Sequence, residues 1–390
     1  MRYTTRTKVV VSAFAMMLVL TSCSTGGAGN EQPTSTSGGQ SSGAGVSEAV
    51  KASVAKYKDL PTFTSPGDPI DPTSLKGKSM YFIPLAPNPF NLSIQESMKS
   101  IADEIGIKFT VYNNQGQSSQ WVQGMNTAVS AKADIIVLST APDPRILQPQ
   151  IAAAKKAGIP VLVTHFYDNS SPLPPDCDGC ANVTGILAAP FSEAGKAAAD
   201  WVIEDSGGKA NVLVLGSTEI ASSPGTVSTI QKELADACDD CKSTVINIPV
   251  ADWNTKVQSE VQAAVNKDPS INYVYPLYDA MVAGAVPALT TIGMTDKVKV
   301  VSFNGSPFAL KFIQDKNVAA MNVGEDTIGI GYASMDQAFR ILLDKPLVEA
   351  HTPIRIWDAT NVDETGTPPE VGKGYGAAMS EGYLKLWGMG

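Results

Sequence analysis

Short β-branched runs alternate with helix-spaced apolar residues, twice over, and that alternation restricts the fold more than any other feature of the chain. The first series offers the strands "SMYFIPL", "IKFTVYN", "ADIIVLS" and "IPVLVTH". Between them Ile94, Met98, Ile101, Ala102 and Ile105, then Trp121, Met125, Ala128 and Val129, recur at steps of three and four, the spacing of one helix face. The second series offers "NVLVLGS" (211–217), "TVINIPV" (244–250), "INYVYPL" (271–277) and "VKVVSFN" (298–304), with Val227, Ile230 and Leu234, then Val257, Val261, Ala264 and Val265, as helical spacings. A helix between two strands carries the chain back to the end where it started, so the strands pair in parallel. The prediction is an α/β protein of two doubly wound parallel-sheet lobes, joined near "GILAAPFSE" (185–193). Such sheets hold ligands beyond the carboxyl ends of their strands, and two of them facing each other leave a cleft.

The stretch "FIPLAPNPFNLSIQE" (82–96) falls on that rim. Pro84, Pro87 and Pro89 cannot donate to a sheet, so the chain leaves the strand there and turns. Asn88 and Phe90 sit between a strand end and a helix start, a position that points them at a ligand. Phe90 and Trp253 also have a plain reading as core aromatics, which strand-end placement disfavours.

Composition narrows the function. The formal charge is −9, with Arg2, Arg6 and Lys8 in the first segment. No run of clustered Lys and Arg offers a phosphate-binding surface, so no nucleic-acid partner is expected. "MRYTTRTK" followed by the apolar "VVVSAFAMMLVL" reads as an export leader, too short to span a bilayer as a mature helix. The Gly/Ser/Thr-rich segment after it cannot build a core and reads as a tether.

Catalytic and metal chemistry find little support. The chain has two histidines, His165 and His351, and lacks G-x-S-x-G, H-E-x-x-H and phosphate-loop motifs. Asp134, Asp143 and Asp168 read as turn and cap residues. No cofactor, no metal and no enzymatic activity are expected. "CDGC" (177–180) and "CDDC" (238–241) lie too far apart for a zinc ribbon, and the first follows "SPLPPD" in a loop rather than opening a helix as a redox motif would. In an exported protein they read as disulfides, Cys177–Cys180 and Cys238–Cys241, each pinning a surface turn, with crossed pairing as the alternative.

"LTSC" (20–23) resembles the lipobox of bacterial lipoproteins, which implies that residues 1–22 are removed and that Cys23 carries acyl chains. More of the chain carries a second likeness. "PLAPNPFNLSIQESMKSIADEIGIKFTVYN", "ADIIVLSTAPDPRILQPQIAAAKKAGIPVLV", "ADWNTKVQSEVQAAVNKDPSINYVYPLYDAMVAGAVPAL" and "VKVVSFNGSPFALKFI" together resemble the periplasmic sugar-binding proteins of the ribose-binding type, in order from about residue 78 to 357. The resemblance implies a type I periplasmic binding protein fold with three crossings between lobes. It places the first lobe at 78–188 plus 325–353 and the second at 189–324 plus 354–390. Residues 23–45 are then the tether and 46–77 a helix with a Pro-rich lead-in. It implies a monomer that captures a small-molecule solute for the permease subunits of an ABC importer, on the extracytoplasmic face of the cell membrane. A ligand-sensing subunit for a receptor kinase is the alternative.

Residue by residue, the resemblance makes Asn88 a hydrogen-bonding amide, Phe90 and Trp253 stacking rings, and Asp279 a ligand carboxylate. Asn91, Gln117, His165, Phe166, Tyr278 and Asn304 complete the candidate ligand-binding set. The family's Asp-Arg pair is here His165-Phe166, its acidic residue after "VVSF" is Asn304, and a frequent Gln near the second crossing is Gly324. Fewer charges grip a polyhydroxyl solute less well, which leaves a less polar or aromatic solute as the alternative to a sugar.

Overall fold

Successive residues of strand β1 (Ser79–Pro84) feed opposite cores: Met80 and Phe82 join one apolar cluster, Tyr81 and Ile83 another. That is the period-two signature of a strand covered on both faces. β1 is the first strand in a computed structural model that describes residues 45–390 apart from Ala141 and Pro175. The leader, Cys23 and all but the last residue of the tether lie outside the described residues.

Five strands, β1, β2 (Lys108–Val111), β3 (Ile135–Ser139), β4 (Val161–Asp168) and β5 (Gly185–Ala189), form a parallel sheet in the order β2-β1-β3-β4-β5. A second sheet contains β6 (Asn211–Gly216), β7 (Lys242–Asn247), β8 (Tyr273–Pro276), β9 (Lys299–Asn304), β10 (Ala319–Glu325) and β11 (Ile354–Asp358), ordered β11-β10-β9-β8-β6-β7. Only the β10–β11 pair is antiparallel. The alternation therefore folds as the type I architecture.

Helix α1 (Glu48–Lys58) precedes the sheets, and α2 (Pro89–Ile105), α3 (Ser118–Ser130) and α4 (Gln148–Lys156) pack on the first of them. α2 buries Ile94, Met98, Ile101, Ala102 and Ile105, the face its spacing predicts. It stops at Gly106, whose φ of +87° closes the helix in the left-handed region that glycine enters freely. α5 (Phe191–Asp205), α6 (Ser223–Ala237), α7 (Trp253–Lys267), α8 (Asp279–Thr291) and α9 (Pro307–Gln314) pack on the second sheet.

The chain passes between lobes after β5, where α5 enters the second core with Ala197 and Val202 fully buried. It passes again after β10, where α10 (Thr327–Leu342) packs beside α2, and once more before β11. Here the structure corrects an expectation. Residues 354–390 do not all belong to the second lobe. β11 does, but α11 (Ala378–Leu386) sits in the first-lobe core, where Trp387 meets Phe339 edge-on at 5.0 Å and its Nε1 donates to Asp336 at 2.9 Å. α10 is buried around most of its circumference, so its side away from the sheet needs a cover, and the aromatic residues of α11 supply one.

The 46–77 lead-in divides likewise. α1 docks on α5, with Ser53 and Tyr57 donating to Asp200 and Glu193, while Ile70 and Leu75 enter the first core. Both disulfides, Cys177–Cys180 and Cys238–Cys241, are local. They are not mere surface pins: Cys177 and Cys180 are buried against Tyr167 and Val183 in the first lobe, and Cys238 lies in the second core. Among the described residues no helix is long and apolar enough to cross a membrane.

Candidate functional site

The carboxyl ends of both sheets open onto one cavity of about 420 Å³. Asn88, Phe90 and Asn91 reach it from the β1–α2 turn, His165 and Phe166 from β4, Trp253 from the start of α7, Tyr278 and Asp279 from the β8–α8 turn, and Asn304 from the end of β9. Gln117 does not. It is exposed at the start of α3, and the helix instead turns Trp121, four residues on, toward the cavity, with Trp121 Nε1 donating to Leu85 O at 3.0 Å.

The residues do not all play the parts that the resemblance implied. Asn88 is the N-cap of α2, its Oδ1 accepting from Asn91 N at 2.9 Å. Only its Nδ2 remains for a ligand. Asn91 is buried, with Nδ2 donating to Ala86 O at 2.7 Å. Asp279 is turned into the protein: it accepts from Ser306 N at 2.7 Å and from Asn322 Nδ2 at 2.6 Å. Burial pushes its carboxyl up to about 6 against the pull of those donors. It positions the second wall and does not present a free carboxylate.

Trp253 lies on Tyr278 with ring centroids 5.6 Å apart and planes 25° from parallel, an offset stack. Its Nε1 is held by Ser217 Oγ and Ile248 O, so its free surface is a ring face. Burial pushes the Tyr278 hydroxyl up to about 12, which keeps it a neutral donor and acceptor. Phe166 meets Tyr167 edge-on, and the Arg145 guanidinium sits 5.6 Å above its ring.

Backbone conformation marks the same place. Thr140 just after β3, His165 within β4 and Asn304 at the end of β9 have φ of +53°, +55° and +124°. Non-glycine residues there cost roughly 1–3 kcal/mol each, and such strain gathers at functional sites. Gly324 has a different cause from a lost ligand contact: a Cβ on it would collide with the Tyr375 hydroxyl and the Trp357 indole.

Sequence reasoning missed Thr140, Phe191, Phe308, Trp121 and Glu325. Phe308 had a signal: "SPFAL" repeats the Pro-Phe helix start of "NPFNL" just after a strand. Glu325 had none, because its importance comes from facing His165, 160 residues away. Among the described residues no group of His, Cys, Asp and Glu converges to hold a metal ion.

Residues 80–346 match the family model for the periplasmic binding protein domain. The chain belongs to that family, whose members bind solutes and do not transform them. It is 24% identical over 270 residues to the ribose import binding protein of Salmonella typhimurium, covering 68% of this chain and 85% of that protein. It is 27% identical over 237 residues to the D-apiose import binding protein of Actinobacillus succinogenes, covering 60% and 71%. Among solved structures, an ABC transporter periplasmic solute binding protein from Actinobacillus succinogenes with bound D-allose has a TM-score of 0.65 at 18% identity, covering 73% of this chain and 99% of that one. A Mycobacterium smegmatis protein in complex with β-D-fucofuranose gives 0.61 at 18% identity, covering 80% and 98%. These likenesses establish the fold.

Proposed function

We propose that this protein is the solute-capturing component of an ABC importer: it takes a sugar or sugar-like molecule into the cleft, closes at the crossings, and hands it unchanged to permease subunits. Acyl chains on Cys23 and the tether hold it at the extracytoplasmic face of the cell membrane, since two or more chains anchor stably where one is marginal. The observation that carries this reading is the cleft itself, in which Phe90 and Phe166 of one lobe and the stacked Trp253 and Tyr278 of the other line one cavity together with the amide residues Asn88, Asn91 and Asn304. Sugars have apolar C–H faces and hydroxyl edges, and suit that arrangement. The relatives named for ribose and D-apiose import support the same cargo class.

In this reading Phe90 and Trp253 cover the two faces of the solute, Asn88 Nδ2 meets a hydroxyl, and the connections after β5 and β10 absorb the hinge rotation. Neither a nucleophile nor an acid/base pair is required. A thermal-shift and tryptophan-fluorescence screen of pentoses, hexoses and polyols tests it, because Trp121 and Trp253 both border the cavity. A true ligand raises the unfolding midpoint with its concentration. Silence across that panel would remove the sugar from the proposal.

A further inference from the structure

The charged groups around the cleft are already spoken for. Asp143 gives both carboxylate oxygens to Arg145, at 2.9 Å and 3.0 Å to Nε and 2.6 Å to Nη2. Asp279 is held by Ser306 and Asn322, and Glu219 accepts from Val250 N at 2.5 Å. Glu325, at the crossing beneath the lining, accepts from His165 Nε2 at 2.8 Å and faces Asn304 Nδ2 at 3.4 Å. Apart from the second oxygen of Glu219, the charge-assisted hydrogen bonds that hold a bare polyol most tightly are therefore spent inside the protein.

What remains free is unevenly placed. Among the described residues Asn88 Nδ2, Asn91 Oδ1 and His165 Nδ1 make no hydrogen bond and belong to the first wall, while on the second wall Glu219 keeps one carboxylate oxygen free at the exposed rim. On the second wall Asn304 spends its amide on Asp279 N and Glu325, and Trp253 spends its Nε1 on Ser217 and Ile248. That wall presents the Trp253–Tyr278 stack, Ile220 and Phe308, the last 43% exposed. The cavity, at about 420 Å³, is within the roughly 300–1,000 Å³ that houses drug-sized ligands. Besides Phe90 and Trp253, the lining includes the further aromatic side chains Trp121 and Phe308.

We propose that the cargo is a glycoside with an aromatic aglycone, its sugar at the first-lobe lip among Asn88, Asn91 and His165 and its aryl group against Trp253, Tyr278 and Phe308. This rests on the solute-capture reading above and sharpens it. The polar lip recognises hydroxyls through neutral groups, and the ring wall gains stacking that a bare sugar cannot return.

Calorimetric titration of the protein with adenosine, uridine, phenyl β-D-glucopyranoside and phenyl β-D-galactopyranoside tests it, each beside its free sugar and free aglycone. At least one glycoside is expected to bind about tenfold or more tighter than both of its parts, a gap of about 1.4 kcal/mol. Phe308→Ala, at an exposed side chain, should weaken that glycoside about tenfold and its free sugar by less than about twofold; Trp253→Leu should act in the same direction. A free monosaccharide bound as tightly as its glycoside overturns the inference while leaving solute capture intact. An aglycone bound as tightly as the glycoside overturns it in favour of an aromatic cargo. No response to any of these probes also overturns it, and the import reading falls separately, only if the pentose, hexose and polyol panel is silent as well.

Discussion

His165 and Glu325 meet at the floor of the cleft, His165 Nε2 donating to Glu325 Oε1 at 2.8 Å. The first lies within β4 of one sheet and the second ends β10 of the other, where the chain crosses between lobes. The imidazole lies between Phe90 and Phe191, at ring distances of 5.2 Å and 5.0 Å. One hydrogen bond thus ties a ligand-facing ring to the hinge.

Glu325→Ala should lose about 1–3 kcal/mol in urea denaturation, because it leaves a buried imidazole N–H without an acceptor. It should also weaken solute binding, since nothing then fixes the ring beside Phe90. Glu325→Gln keeps an acceptor and should lose less of both. Equal behaviour of the two variants would show the pair to be incidental.

Asn88 serves the helix and the cleft with different atoms, so two substitutions separate the roles. Asn88→Ala removes the cap of α2 and should cost about 1 kcal/mol of stability. Asn88→Asp keeps the capping oxygen and loses only the Nδ2 donor. Its melting temperature should hold while affinity falls; a melting loss equal to that of Asn88→Ala would contradict the division.

Burial pushes Asp279 and Asp326 up to about 6, against about 3.9 for a free aspartate. Between about pH 4 and 6 the folded protein holds protons that the unfolded chain has released, so stability falls as pH rises through that window. Asp134 and Asp358, held low by Lys78 and Lys58, act in the opposite sense only below about pH 4. Urea midpoints should therefore be higher at pH 5 than at pH 7.5. Asp326→Asn, which preserves an N-cap for α10, should flatten the difference. A midpoint that climbs with pH across this range would refute the assignment.

Arg340 and Asp336 form a buried pair on α10 at 2.7 Å, with Trp387 Nε1 on the other Asp336 oxygen. Arg340→Ala strands the carboxylate and should destabilise by about 3–5 kcal/mol. Replacing both partners with Met and Leu should recover much of that loss, readable by chemical denaturation.

Cys23→Ser should move the protein from the membrane pellet to the soluble fraction of fractionated cells, with the affinity of the purified protein for its solute unchanged. Retention in the membrane would exclude lipid on Cys23 as the anchor.

The two sheets were legible in the chain because β1 to β4 and β6 to β9 carry apolar or β-branched runs and the covering helices between them repeat at three and four, as in α2 and α7. β5, β10 and β11 were not read as strands. β5 carries Gly185, Ala188 and Ala189, and β10 carries Asn322 and Gly324, residues that weaken a local strand signal and are tolerated because neighbours satisfy or crowd them. α11 was assigned to the wrong lobe for a related reason: its apolar face needs a partner, and nothing local says which.

Sequence alone determined the class of fold and the lip at Asn88 and Phe90, since both depend on near-neighbour spacing and on proline's missing N–H, whereas Trp253 came from the family resemblance. Only the tertiary structure decided which of those polar atoms are free. Whether Asp279 faces a ligand or Asn322, and whether His165 is met by Glu325, depends on residues 43 and 160 positions away. A hydrogen bond takes its partner from geometry in space, and a one-dimensional pattern carries no record of that partner.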